Sequence, residues 1–180
     1  IVLFQTLGIA PATEAAMQPF TKLRTFLNIE DDIEGNLSRF KAEVKKAKTI
    51  VQDANDLEKD EHGYFIIDEL FTGTSPGKGA ALAYATLLYL SKVDTAMGLV
   101  ATHFDDTKPV KLIDLAFDPR GNNAFKNFKV TVKEDKNGKI FYPFKIIPGI
   151  AKQNIAVKIL EEENFPKDLL DDLDDILSTK

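Results

Sequence analysis

The sequence contains no cysteine, which excludes disulfides, thiolate metal sites and cysteine nucleophiles together. Two histidines, His62 and His103, are too few for a histidine-rich metal centre. No stretch approaches the roughly 18 consecutive apolar residues of a membrane-spanning helix, so no membrane partner is expected. Basic residues are not in excess: 23 lysines and arginines against 28 acids leave a net charge of −5. That argues against a domain-wide electrostatic footprint for DNA or anionic lipid. Internal repeats and long linkers are missing too. What remains is globular usage, 44% hydrophobic and 28% charged over 180 residues, enough to bury a core in one domain or part of one.

The apolar opening Ile1 to Ala10 has no initiating methionine, no cap and no preceding basic segment. It is read as the end of a helix that starts upstream of this chain. Leu37, Phe40, Val44, Ala47, Ile50, Val51 and Ala54 recur at three- and four-residue spacing and predict a helix. Arg39, Lys41, Lys45, Lys46 and Lys48 on it form either a solvated face or a phosphate-binding one. Gly63 to Ile67 and Met97 to Ala101 read as buried strands. Between them lie a turn-rich segment, Thr72 to Gly79, and a helix from about Ala80 to Ser91. Strand, helix, strand with short connections predicts a parallel sheet with a crossover helix.

The second half changes character. Lys111 to Phe117, Phe125 to Lys133 and Ile140 to Ile147 are predicted as strands, with Asn137-Gly138 as a hairpin turn between the last two. Two helices follow, about Gln153 to Glu163 and Pro166 to Ser178, with Pro166 suited to a first helical turn.

The chemistry-bearing residues lie at strand ends. An apolar strand that ends in Asp68-Glu69 can place one carboxylate on Mg²⁺ through water and the other beside an attacking water. The same pair also suits a plain solvent-facing terminus. His103 follows the next strand, and parallel strands deliver their carboxyl ends to one edge, so Asp68, Glu69 and His103 should converge there. A phosphate loop requires Gly-x-x-x-x-Gly-Lys and then Ser or Thr. Gly73 to Gly79 is one residue short of it, has Gly79 in the hydroxyl position and comes after the acidic strand. It is rejected as the phosphate cradle.

Taken together, these residues resemble the carboxyl-terminal ATPase domain of the MutS family of DNA mismatch repair proteins. Tyr64-Phe65-Ile66-Ile67-Asp68-Glu69-Leu70 with Gly73-Thr74-Ser75, Gly79, Ala83 and Ala85 is similar to the family's Walker B strand and the segment after it. Ala101-Thr102-His103-Phe104 resembles its switch-histidine motif. Asp31-Asp32-Ile33, Ser38, Phe40 and Glu43 fall at its signature-like motif, which reaches the neighbouring subunit's nucleotide. Arg39 stands where threonine is usual, and Asn36 where glycine is, with Gly35 displaced by one. Weaker similarity runs through Gly149, Asn154 and Phe165 to Leu170.

The resemblance implies an α/β fold: an ABC-type P-loop NTPase sheet lacking its N-terminal phosphate-loop part, with an antiparallel hairpin and a C-terminal helical pair. Residues 1–150 would be the partial ATPase core and 151–180 a helix-turn-helix-like dimerisation segment. It further implies ATP and Mg²⁺ as cofactors of a longer cytoplasmic parent that is a homodimer through this domain and meets DNA through domains outside this chain. Asp68 would hold the metal, Glu69 and His103 would be catalytic, and Ser38, Gly73, Thr74 and Ser75 would bind nucleotide. Phe144 falls near an adenine-side aromatic position, although a hairpin phenylalanine more often belongs to a core. Two alternatives stay open: another ABC-type, SMC-like ATPase, and a non-catalytic dimerisation module, for which Glu69 would have no chemical use.

Overall fold

Three parallel strands carry the first part of the chain. In the computed structural model, which describes residues 1–27, 38–104, 107–135, 140–151 and 155–178, strands β1 (Lys22–Phe26), β2 (Gly63–Asp68) and β3 (Ala96–Ala101) form a sheet in the order β1-β2-β3. Register pairs Phe26 with Ile67, and Asp68 with Ala101. Helix α2 (Arg39–Asn55) connects β1 to β2, and α3 (Pro76–Leu90) connects β2 to β3. The mixed α/β organisation and the crossover between β2 and β3 are those predicted. The residues Asp31-Asp32-Ile33, Gly35, Asn36, Leu37, Asn137-Gly138 and Asn154 lie outside the described residues.

One face of the sheet is dry. Phe65 and Ile67 point to the side where Ala47, Ile50 and Ala54 of α2 and Ala80, Ala83 and Leu87 of α3 are buried. The small α3 side chains let that helix lie close to its neighbours, and at Gly79 it presses on the turns that follow β2 and β3. A Cβ there would stand under 3.0 Å from the Phe71 carbonyl oxygen and 3.1 Å from Phe104 Cζ. Gly79→Val should therefore destabilise this unit by about 3 kcal/mol or more, since overpacking exceeds any gain in helix propensity. Urea unfolding of the variant checks this, and an unchanged midpoint would contradict the close approach.

Strand β1 is not among the predicted elements. Its five residues, Lys-Leu-Arg-Thr-Phe, mix charge with apolar side chains, and packing rather than pattern settles them. Arg24 pairs with Asp53 of α2, while Lys46 of α2 lies 5.8 Å over the Phe26 ring and donates to the Leu27 carbonyl at 3.2 Å. Phe20 stacks on Tyr64 at 5.0 Å. The opening segment is helical over Val2–Leu7 (α1) and ends at Gly8, with φ 69°. Gln5 binds both backbone polar groups of Phe20 through its amide.

The predicted strand over Lys111 to Phe117 is instead a 3₁₀-helix, Leu112–Phe117. With three residues per turn, side chains three apart eclipse. Leu112, Leu115 and Asp118 are accordingly the buried ones, while Phe117 points to solvent. Asp118 accepts from Arg120 Nη2 and from Tyr84 Oη of α3, both at 2.6 Å. Arg120 first and Tyr84 second hold its carboxyl well below the usual carboxylate range. Helix α3 also starts earlier than predicted, because Ser75 takes the cap position and Pro76 the first turn.

Residues Ile1–Phe125 form one compact unit and Lys126–Lys180 a second. In the second, the long predicted strands are short pieces: β4 (Phe128–Val130) pairs antiparallel with β7 (Ile146–Pro148), and β5 (Lys133–Glu134) with β6 (Ile140–Phe141). Phe144, at φ 53°, and Pro143 before it lie where the ladder is interrupted. Helices α4 (Ile155–Glu162) and α5 (Lys167–Ser178) complete the unit. Among the described residues no helix is long and apolar enough to cross a membrane.

Candidate functional site

The carboxyl ends of β2 and β3 bring Asp68, Glu69 and His103 together. Asp68 is the last residue of β2, on the sheet face opposite α2 and α3, and its carboxylate makes no hydrogen bond or ion pair with any described residue. Glu69 then leaves the strand at φ 57°, and Phe71 at φ 61°. Left-handed backbone costs a non-glycine residue about 1–2 kcal/mol. The surrounding structure holds it there: Glu69 N–H donates to the Ala101 carbonyl at 3.1 Å, and Leu70 and Phe71 are buried.

The turn carries the Glu69 side chain across to the segment after β3, where its Oε2 pairs with Nδ1 of His103. His103 is solvent-facing. Its ring lies 4.7 Å from that of Phe104, which is 2% exposed and donates its N–H to Thr102 Oγ1 at 3.0 Å. A carboxylate beside an imidazole can take up a proton and share it. The neighbouring carboxylate of Asp68 suits a hard cation. Magnesium needs only one or two protein carboxylates, with water and phosphate completing its shell. Among the described residues no group of three or more acidic or histidine side chains could hold a metal by itself.

The expected nucleotide-binding residues lie on two adjoining pieces of backbone. Ser38 starts α2, is exposed, and accepts from Lys41 N–H at 3.4 Å, a long capping bond. Gly73 sits against the same helix start, where a Cβ would fall 2.9 Å from the Phe40 nitrogen. Thr74 is half-buried, and the Ser75 hydroxyl makes no capping bond although Ser75 is the first cap of α3. Lys41, Lys45 and Lys48 are exposed along α2. Phe144, in the second unit, is 87% exposed and so is no core residue.

Glu43 is buried where Ser38 of the same motif is exposed. It is 1% exposed and accepts from Gly73 N–H and from Thr72 Oγ1. The signal is visible in the chain, since Glu43 sits three residues after Phe40 and four before Ala47, on the apolar stripe of α2.

Comparison with known proteins follows the same residues. The family profile of MutS domain V matches residues 1–179. A DNA mismatch repair protein MutS of Thermus thermophilus is 28% identical over 170 residues, 94% of this chain and 19% of that protein. Those of Alkaliphilus oremlandii and Pelotomaculum thermopropionicum are each 29% identical, over 99% of this chain and 19% of the relative. The chain thus spans about a fifth of the length of the curated relatives it matches.

Proposed function

From the premise that the chain belongs to the MutS family through its domain V, we propose that it is the greater part of the ATPase domain of a mismatch-repair protein that couples ATP turnover to a DNA-bound clamp. The observation that carries this reading is the pairing of Glu69 with His103 beside Asp68, which has no partner among the described residues, at the carboxyl edge of a parallel sheet. Glu69 accepts a proton from the attacking water, and His103 holds that carboxylate and faces the terminal phosphate. Asp68 would hold Mg²⁺, which would supply positive charge to the phosphate oxygens. The water oxygen bonds to the γ-phosphorus as the bond from that phosphorus to the bridging oxygen breaks, leaving ADP and phosphate.

The fold supports a P-loop sheet in a specific way. Met97 and Leu99, 61% and 60% exposed, lie on the uncovered face of β3, whose outer edge is unpaired among the described strands. Parallel sheets are covered on both faces, so a further strand and helix bearing the phosphate loop would fit there. Residues 151–180 serve as the dimerisation segment, with Leu169, Ile176 and Leu177 exposed along α5. The match to MutS domain V favours this family over an SMC-like ATPase.

These 180 residues contain no phosphate loop of the required spacing. Calorimetry with ATP and Mg²⁺ should accordingly register no micromolar binding by this chain alone, whereas the full-length protein binds and hydrolyses ATP. Specific micromolar binding by the chain, or a full-length protein without ATPase activity, would overturn the reading.

A further inference from the structure

Buried in the second turn of α2 is a carboxylate with work beyond packing. Glu43 accepts from the Gly73 N–H at 3.1 Å through each carboxylate oxygen and from Thr72 Oγ1 at 3.2 Å. Arg39, one turn earlier, places Nε 3.5 Å from the same carboxylate and donates from Nη2 to Thr72 Oγ1 at 2.7 Å. A carboxylate this deep is stable only while those donors stay in place. The Gly73 backbone is also pressed onto the Phe40 backbone so closely that a Cβ would be 3.1 Å from Phe40 Cα. Helix start and turn are therefore joined twice, by hydrogen bonds and by backbone contact.

The turn leads back to the site over a short, stiff path. Between Gly73 and Glu69 lie only Leu70, Phe71 and Thr72, and the first two are 1% and 5% exposed. We propose that Arg39 and Glu43 are positioning residues that lock the helix start bearing Ser38 to the turn bearing Glu69, so that a displacement of one is transmitted to the other. Resting on the ATPase reading above, this makes the two nucleotide sites of a dimer interdependent: engagement of Ser38 on one nucleotide aligns the Glu69 of its own subunit on the other. The element that moves is the α2 start with residues 69–75, and the latch is what makes it one body.

The test uses the full-length protein, with Arg39→Met as the main variant because Arg39 is half-exposed, and Glu43→Gln as the second. Hydrogen exchange of residues 69–75 should accelerate about tenfold or more, with exchange in the middle of α3 unchanged. Turnover should fall about tenfold with the ATP KM within about twofold, and Arg39→Lys should restore most of it. Faster exchange with unchanged kcat would overturn the positioning role and leave the ATPase reading intact. Unchanged exchange would overturn the latch itself. A wild type without ATPase activity would sink the functional reading instead, and the exchange arm would still decide whether the latch exists.

Discussion

Glu69→Gln in the full-length protein is expected to keep ATP bound and to lose hydrolysis by about 10²- to 10⁴-fold, the usual worth of a general base. Glutamine keeps the size of the side chain and its place at the strand end, and it still offers an oxygen to His103. What it cannot do is take the proton from water. The left-handed backbone at Glu69 (φ 57°) makes the prediction specific, because strain held by buried neighbours places the carboxylate that pairs with His103. Asp68→Asn should behave differently, weakening Mg²⁺-dependent binding, since a neutral amide is a poorer partner for a hard cation. Single-turnover kinetics separates the two. Near-normal turnover by the Glu69 variant would remove that residue from the chemistry.

Much of the site was legible because parallel strands impose direction. Once Gly63 to Ile67 and Met97 to Ala101 read as strands joined by a helix, Asp68, Glu69 and His103 had to share an edge, and the Glu69–His103 pairing follows that logic. Helix α2 was legible through periodicity, α3 through its alanine- and leucine-rich composition and α5 through Pro166, and α4 was expected just before it. Elements whose pattern is short or ambiguous were not. Lys22–Phe26 becomes a strand because Arg24 finds Asp53 and Phe26 finds the core, contacts between residues far apart in the chain. Leu112 to Phe117 is apolar enough to pass for a strand, yet the three-residue spacing of Leu112, Leu115 and Asp118 decides it.

Glu43 stands in the same motif as Ser38, yet five positions further along α2 it falls on the buried stripe of the helix. Val44, counted with that stripe in the sequence, is 42% exposed instead. The buried carboxylate stays in place because Gly73 and Thr72 come from a loop thirty and twenty-nine positions away, a meeting that no local pattern announces.

Ser38 carries the central claim, that each active site is completed by the other subunit. As a cap alone, its bond to Lys41 N–H is long at 3.4 Å and its loss would cost about 1 kcal/mol of stability without touching turnover. As a contact across the dimer, it adds a hydroxyl and a helix amino end to the partner's phosphate. The decisive measurement mixes full-length Ser38→Ala subunits with Glu69→Gln subunits and allows exchange. Each variant alone should be nearly inactive. In a mixed dimer one composite site carries both substitutions and the other carries neither. With random pairing making half of the dimers mixed, activity should recover to at most about a quarter of the wild-type level, the intact site losing whatever alignment of Glu69 the absent Ser38 of that subunit would have given. An exchanged mixture no more active than the mean of the two variants, or a Ser38→Ala protein that turns over normally, would contradict the shared site and leave Ser38 as a helix cap.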